Sequence, residues 1–293
     1  MNRRLWSEWR LGWLLSAPAL AAMLLVTAYP MAYALWLSLY RHDLRFPAHN
    51  AFVGLGNYAV VLQSTVWWQA LANTLIITIC SVAIELVLGM LLAMLMHRAV
   101  IGRRLVRTAT LIPYGIITVI AALAWKFAFQ PTTGFVNSLF GIGQPWFSKP
   151  WSSFFVIIFT EVWKTTPFMA LLLLAGLTLV PVDLLRAARV DGANAWQRFT
   201  KITLPLMKQA IAVALLFRTL DAFRIFDTVF VQTRGAEHTE SVSIVGYQTL
   251  IARLNLGLGS AVSVLIFCCV LLIAVLFLRG FQMTNALSGG GKR

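Results

Sequence analysis

The chain has 293 residues, of which 59% are hydrophobic and 12% charged, and its mean hydropathy is +0.79. A water-soluble domain cannot bury so much apolar surface, so the composition excludes a soluble enzyme or binding module and indicates a membrane protein. The formal net charge of +14 would by itself fit a nucleic-acid-binding protein. The distribution of that charge along the chain decides between the two.

Six apolar segments are long enough to cross a bilayer as helices. A hydrocarbon core of about 30 Å needs roughly 20 apolar residues per helix. The segments cover about residues 11–40, 72–96, 105–129, 152–180, 204–233 and 261–281. The strands of a membrane barrel would alternate polar and apolar residues, and these segments do not. We therefore predict an all-α polytopic protein whose residues 1–293 form a single transmembrane domain.

The basic residues are unevenly divided between the two sides of the membrane. Fifteen of the 24 Lys and Arg lie in the termini, in the loop between spans 2 and 3, and in the loop between spans 4 and 5. The other three loops hold five. Because positively charged loops stay in the cytoplasm, we predict a multi-pass protein of the cell membrane with both termini cytoplasmic. The charge is then a topology signal and does not indicate binding to nucleic acid.

Charged residues also occur inside the predicted spans, where an unpaired charge costs several kcal/mol. They are Glu85, Lys126, Glu161, Lys164, Arg218, Asp221, Arg224 and Asp227. Lys126 is near the outer end of span 3 and is expected to snorkel towards the interface. The last four stand three residues apart with alternating sign, so neighbours can pair. On one continuous helix, three residues make about 300° of rotation, so each member of the series is turned by about 60° from the one before. After three such steps Arg218 and Asp227 lie on opposite sides of the helix.

Two interpretations of the span 5 charges stay open. A self-neutralising ladder of ion pairs would let a charged helix cross the bundle. A water-filled cavity would instead use some of these side chains to hydrogen-bond a polar ligand.

Span 4 carries a second pair of opposite charges, Glu161 and Lys164, followed by Thr165, Pro167 and Phe168. Pro167 removes a backbone hydrogen bond and can kink the helix. Hydroxyls, charges and aromatic rings beside a kink suit a sugar, which offers hydroxyl groups at its rim and C–H faces for stacking. The same residue types also occur in ordinary helix packing, so this pattern alone indicates little.

The sequence carries no recognised enzyme motif. HEXXH, GXSXG and GXXXXGK[ST] are all absent, and Cys80, Cys268 and Cys269 lie in apolar runs without ligand spacing. We therefore expect a non-catalytic chain without a metal site. Because it has no phosphate-binding loop, the chain is not expected to hydrolyse ATP by that route.

The loop between spans 4 and 5 is unusually polar and is predicted to fold as a helix–turn–helix. Asp183 is placed to cap a short helix over residues 184–190. Asp191 and Gly192 break that helix, since glycine provides the backbone freedom for a sharp turn. A second short helix is predicted over residues 193–201.

This loop resembles the EAA loop of permeases of ATP-binding-cassette importers, whose motif is roughly EAAxxDGAxxxxxFxxIxLP. The chain reads RAARVDGANAWQRFTKITLP and matches at Ala187, Ala188, Asp191, Gly192, Ala193, Phe199, Ile202, Leu204 and Pro205. FVGLGNY, TPFMALLLLAGL and FRTLDAFRIFDTVFVQT extend the likeness to the MalF-type sugar permeases over nearly the whole chain. Two departures are Arg186 in place of the first motif Glu, and RGAE at residues 234–237 in place of the usual GGP.

The resemblance implies the six-helix fold of type I importer permeases, the MetI- and MalF-like fold, and transport by alternating access. In such importers two homologous permease subunits pair on a cytosolic ATPase dimer, which binds ATP and Mg²⁺. An extracytoplasmic sugar-binding lipoprotein delivers the substrate. The permease itself is expected to hold no cofactor. The substrate implied by the likeness is a disaccharide, trehalose first.

The resemblance also implies roles for particular residues. Coupling to the ATPase, by a loop over about residues 181–205, is expected of Arg186, Ala187, Ala188, Asp191, Gly192, Ala193, Phe199 and Pro205. The sugar pathway is expected to include Glu161, Lys164, Thr165, Phe168, Arg218, Asp221 and Arg224. The alternative function is a stand-alone, ion-coupled secondary transporter that uses the charge ladder as a proton relay; such carriers commonly have inverted repeats, and none is evident.

Overall fold

The computed structural model describes residues 2–98, 103–141 and 143–289, which are mainly helical. The helices are α1 (Asn2–Met23), α2 (Tyr29–Ser38), α3 (Gly56–Gln63), α4 (Thr65–Arg98), α5 (Arg103–Gly115), α6 (Thr118–Ala128), α7 (Phe135–Phe140), α8 (Pro150–Thr178), α9 (Val182–Val190), α10 (Ala195–Arg198), α11 (Leu204–Leu206), α12 (Lys208–Ala222), α13 (Asp227–Gln232), α14 (Val242–Tyr247) and α15 (Leu256–Gly289). Residues 99–102, in the predicted loop after span 2, and 290–293, in the predicted cytoplasmic tail, lie outside the described residues.

Shorter elements connect these helices. Single π-helical segments cover Leu24–Ala28, Phe199–Thr203 and Gln248–Ala252, and a 3₁₀ turn covers Pro47–His49. Strands β1 (Tyr40–Arg41) and β2 (Ala51–Phe52) pair antiparallel, with Tyr40 opposite Phe52. The first π segment joins α1 to α2 without a break, so the two helices form one long span.

Among the described residues, four helices are long and apolar enough to cross a membrane: Trp9–Ser38, Thr65–His97, Pro150–Thr178 and Leu256–Gly280. Two more candidate spans are each a bent pair of helices. Arg107–Gly115 and Thr118–Ala128 meet at 90°, and Ala195–Leu206 and Lys208–Gln232 meet at 68°. With each bent pair counted as one span, the part of the chain that the structure describes holds six candidate spans, the number that the sequence predicted. The treatment of span 5 as one continuous helix was wrong.

Residues that weaken helices lie at the breaks. Gly115 ends α5, and Ile117 has an extended backbone (φ −58°, ψ 134°) before α6 begins. Pro205, which lacks an N–H group, is two residues before the bend at Met207. A further interruption at residues 223–226 separates α12 from α13. By contrast, α8 runs without a break through Pro167.

Packing divides the chain into two compact units. The first comprises Met1–Thr65 and Gly246–Phe267, and the second comprises Val66–Val245 and Cys268–Arg293. A single transmembrane domain over residues 1–293 stays a prediction.

In the first unit, the segment GLGNY anchors the β-hairpin. The side-chain amide of Asn57 donates to the carbonyls of Ser38 (2.8 Å) and Tyr40 (2.9 Å). The hydroxyls of Tyr58 and Ser38 are 2.6 Å apart. Asn57 and Tyr58, in the first turn of α3, therefore hold the start of this helix against the residues that lead into β1. Within the hairpin loop, a hydrogen bond from the Arg45 side chain lowers the pKa of Asp43 to about 2.

In the second unit, the largest apolar cluster joins α4, α8 and α12. Met90, Met96, Leu173 and Met207 are among its buried members. Glycines bring the helices close together, as is common in membrane proteins. A Cβ atom on Gly89 would lie 2.8 Å from Cγ of Met169 and 3.2 Å from the backbone nitrogen of Ala170.

We predict that Gly89→Val lowers the stability of the second unit by about 1–3 kcal/mol, because the added side chain overlaps α8. Thermal unfolding of the detergent-solubilised protein measures this. Gly12→Val in α1 is the matched control, since a Cβ there meets nothing within 4 Å. Equal melting temperatures for the two variants would show that α4 and α8 are not closely packed at Gly89.

Candidate functional site

A cavity of about 240 Å³ lies in the second unit where the interrupted helices meet the charged stretch of α8. Its lining comes from the α5–α6 bend, from the middle of α8 and from the α12–α13 interruption. The lining residues are Tyr114, Thr118, Glu161, Lys164, Thr165, Asp221, Arg224, Ile225, Phe226, Asp227 and Thr228. Non-helical backbone at membrane depth is tolerated where it is packed in protein or lines a water-filled space. The interruptions therefore mark this part of the bundle as the candidate site.

Arg218 lies directly behind the cavity and is 1% exposed. Its guanidinium donates from Nε to Oε2 of Glu85 (2.5 Å) and from Nη2 to Oε1 of Glu85 (3.0 Å). It also donates from Nη2 to Oε2 of Glu161 (3.1 Å) and from Nη1 to Oδ2 of Asp221 (2.7 Å). A buried arginine without partners would be strongly destabilising, so these carboxylates are what allow Arg218 to be buried.

Threonine hydroxyls complete this network. Thr165 donates to Oε1 of Glu85 at 2.7 Å, and Thr228 donates to Oε1 of Glu161. Both carboxylates therefore have protein partners at both of their oxygens. Asp221 differs, because only its Oδ2 has a partner among the described residues and its side chain is 69% exposed. Its second oxygen is available to a ligand in the cavity.

Lys164 and Tyr114 add a cation and an aromatic ring to the lining of the cavity. The Nζ of Lys164 lies 5.4 Å from the ring centroid of Tyr114, a cation–π distance. The Tyr114 ring stacks on Phe168, with centroids 5.3 Å apart and an interplanar angle of 14°. An open carboxylate oxygen, a cation and an aromatic edge together suit a neutral ligand that has many hydroxyl groups.

The structure places the seven predicted pathway residues as follows. Five of them line the cavity: Glu161, Lys164, Thr165, Asp221 and Arg224. Arg218 is buried behind Asp221, and Phe168 lies behind Tyr114, so neither is part of the lining.

Of the two interpretations left open for the span 5 charges, the contacts favour the cavity over the ladder. Arg218 and Asp221 form one ion pair, whereas Arg224 and Asp227 form none with other described residues. The reason is that α12 ends at Ala222, so the geometry of a continuous helix no longer applies beyond that residue. Asp221, Arg224 and Asp227 consequently reach the same cavity.

Two smaller predictions about charges were also wrong. Glu161 does not pair with Lys164, because its carboxylate bonds to Arg218 and Lys164 lies over Tyr114. Lys126 does not snorkel towards the interface, since its Nζ donates to the carbonyl of Val231 in α13 at 2.8 Å.

The predicted pathway residues did not include Glu85, Tyr114, Thr118, Asp227 or Thr228, although Glu85 and Asp227 were named among the charges inside the spans. Glu85 had a usable signal, because a single acidic residue in an otherwise apolar span needs a basic partner from another helix. Tyr114 and Thr118 had none, because their position depends on the 90° bend between α5 and α6. Among the described residues, no group of three or more His, Cys, Asp or Glu side chains is placed to hold a metal ion.

The polar loop between α8 and α12 folds as two short helices around a tight turn, as predicted. Gly192 has φ +81°, and the N–H group of Ala193 bonds to the carbonyl of Ala188 at 2.9 Å, which closes the end of α9. The details differ from the prediction. Asp183 lies inside the first turn of α9 and does not cap it.

The second helix of this loop was also predicted with the wrong start and end. It starts at Ala195, after a capping box formed by Asn194 and Gln197, and a π segment over Phe199–Thr203 follows it. Nη1 of Arg186 lies 3.4 Å from Oδ1 of Asp183. Because both side chains are exposed, this ion pair contributes little to stability.

Several apolar side chains of this loop face solvent. Val190 is 88% exposed and Trp196 is 71% exposed. Ala187 and Pro205 are also exposed, whereas Ala188, Ala193 and Phe199 are half-buried. Exposed apolar groups clustered on a loop are typical of a surface that another protein covers.

Comparisons with known proteins agree with this architecture. Residues 85–287 match the family described as binding-protein-dependent transport system inner membrane component. The chain is 56% identical to the trehalose transport system permease protein SugA of Mycobacterium tuberculosis, over 98% of this chain and 92% of that protein. It is 38% identical to the trehalose/maltose transport system permease protein MalF of Thermococcus litoralis, over 93% of this chain and 94% of that one.

A solved structure shares the fold. It is the bacterial alginate ABC transporter in complex with an alginate pentasaccharide-bound periplasmic protein, and the matched chain superposes with a TM-score of 0.79 at 24% identity. The match covers 94% of this chain and 96% of that one. The predicted type I importer permease fold is therefore confirmed. The chain belongs to the family of binding-protein-dependent transport system inner membrane components.

Proposed function

We propose that this permease forms half of the translocation pathway of an ATP-driven importer of a disaccharide such as trehalose, and that the cavity beside Arg218 is where the sugar passes. The observation that carries the proposal is the combination of Asp221, Lys164 and Tyr114 around one cavity at interrupted helices. Sugars are bound by carboxylate and amine hydrogen bonds together with aromatic contacts. The two relatives named for trehalose and trehalose/maltose transport support the choice of a disaccharide.

A second, homologous permease subunit would supply the other half of the pathway. A cytosolic ATPase dimer would bind ATP and Mg²⁺ and engage the loop at residues 181–205. Exposed Val190 and Trp196 support such a contact. Arg186 is 75% exposed and could meet an acidic group on the ATPase, in place of the salt bridge that a Glu would make.

An extracytoplasmic binding protein would deliver the sugar, as the complex with a periplasmic protein suggests for the alginate transporter. The protein then lies in the cell membrane with both termini in the cytoplasm, which is the orientation that the basic loops favour.

A stand-alone secondary transporter finds no support. A proton relay along span 5 would need consecutive pairs of charged groups, and among the described charges of this span only Arg218 and Asp221 pair with each other. Family membership also ties the chain to a multi-component transport system.

We predict that Gly192→Pro leaves membrane insertion intact but lowers sugar-stimulated ATPase activity and uptake at least tenfold. Proline fixes φ near −65°, whereas Gly192 needs φ +81° to place the two short helices. The measurement uses the complex reconstituted with its partner subunits in proteoliposomes. The control is Gly141→Pro, which meets the same backbone conflict (φ +62°) at an outer loop. Wild-type coupling in the Gly192 variant would contradict the proposed role of this loop.

Asp221→Asn is expected to lower the initial rate of radiolabelled trehalose uptake about tenfold at saturating binding protein. The reason is that a hydrogen bond to a charged acceptor contributes about 1.5–3 kcal/mol, part of which a neutral amide loses. The basal ATPase rate of the same preparation reports whether the complex is intact. Unchanged uptake would mean that the sugar does not contact Asp221.

A further inference from the structure

We propose that Glu85 is a positioning residue for sugar passage: through Arg218 it fixes the carboxylate of Asp221 at the wall of the cavity. The inference rests on the proposed function, since it assumes that the cavity binds sugar. It goes beyond that function because Glu85 does not line the cavity and no residue of α4 does so. Any influence of Glu85 on the sugar must therefore pass through another side chain.

The hydrogen bonds show which side chain that is. Glu85 is fully buried, and its two oxygens accept from Nε and Nη2 of Arg218 at 2.5 and 3.0 Å. A bidentate contact between arginine and a carboxylate fixes the plane of the guanidinium as well as its distance. Glu85 is the only described residue that holds Arg218 in this two-point manner.

A fixed guanidinium plane determines where its remaining nitrogen points. Nη1 of Arg218 donates to Oδ2 of Asp221 at 2.7 Å, close to the length of a charge-assisted hydrogen bond. Because the Asp221 side chain is 69% exposed, little else restrains it. With Arg218 held by Glu85, Asp221 is kept in one orientation and its Oδ1 is ready for a sugar hydroxyl.

Thr165 connects the same arrangement to α8. Its hydroxyl lies 2.7 Å from Oε1 of Glu85, and the residue itself lines the cavity. Without Glu85, Glu161 and Asp221 would still neutralise Arg218, but each through a single hydrogen bond, so the plane of the guanidinium would be less firmly fixed. Loss of Glu85 should therefore loosen Asp221 without removing it.

The competing explanation is that Glu85 only compensates the buried charge of Arg218 and stabilises the fold. A double-mutant cycle separates the two explanations, because residues that act through one another are not additive. Glu85→Gln, Asp221→Asn and the double variant are each reconstituted with the partner subunits and saturating binding protein. Initial uptake is measured for trehalose and for a trehalose analogue that lacks one hydroxyl group.

The positioning role predicts that Glu85→Gln lowers trehalose uptake roughly five- to tenfold and reduces the preference for trehalose over the analogue. It also predicts that the double variant is no slower than Asp221→Asn alone. Either of two results would overturn the inference. One is a loss of trehalose uptake in the double variant equal to the product of the two single losses. The other is an unchanged ratio of trehalose to analogue uptake in Glu85→Gln. If the wild-type complex takes up no disaccharide, the proposed function itself fails and the inference falls with it.

Two further variants keep the test valid if Glu85→Gln folds poorly. Glu85→Asp keeps the negative charge, but its shorter side chain cannot reach Arg218 with both oxygens. It should therefore fold and show the same reduced preference for trehalose over the analogue. Thr160→Val removes the 2.7 Å hydrogen bond that Gln232 donates to the Thr160 hydroxyl. That bond joins α8 to α13 and does not involve Arg218. The Thr160 variant is expected to lower the melting temperature and leave the preference unchanged. A loss of preference in Thr160→Val would mean that general loosening explains the Glu85 result.

Discussion

The burial of Arg218 is the constraint on which the second unit depends. A guanidinium cannot lose its charge at ordinary pH, so it can stay in an apolar bundle only when acidic groups surround it. Here those groups come from α4, α8 and α12, through Glu85, Glu161 and Asp221. One side chain therefore fixes the relative positions of these helices. The apolar packing around Gly89 and Met169 fills the space between α4 and α8.

The charged side chains of this region fall into two groups, those fully hydrogen-bonded within the protein and those exposed at the cavity. Glu85 and Glu161 have partners at both oxygens, whereas Asp221, Arg224 and Asp227 keep exposed groups at the cavity. This difference follows from the interruption after Ala222. A continuous helix would have turned these side chains in different directions. With the interruption, all three side chains line the cavity together with Lys164 and Tyr114.

The loop at residues 181–205 is stabilised differently, since its helices are short and little of it is buried. Its shape is maintained by local backbone chemistry: the positive φ of Gly192 and the capping box of Asn194 and Gln197. Exposed Val190 and Trp196 are not needed to hold that shape. The loop therefore owes its shape to contacts within the chain itself.

The sequence alone determined the membrane class, the number of spans and the EAA-like loop. These depend on composition, on apolar length and on the local turn chemistry of Asp191 and Gly192, all of which act over short stretches of chain. The partners of Arg218 and the lining of the cavity were decided only by tertiary structure. Glu85 lies 133 positions from Arg218 in the chain, and no local pattern pairs them. The helix interruption that redirects Arg224 and Asp227 is likewise stabilised by packing against other helices, which a helical period cannot reveal.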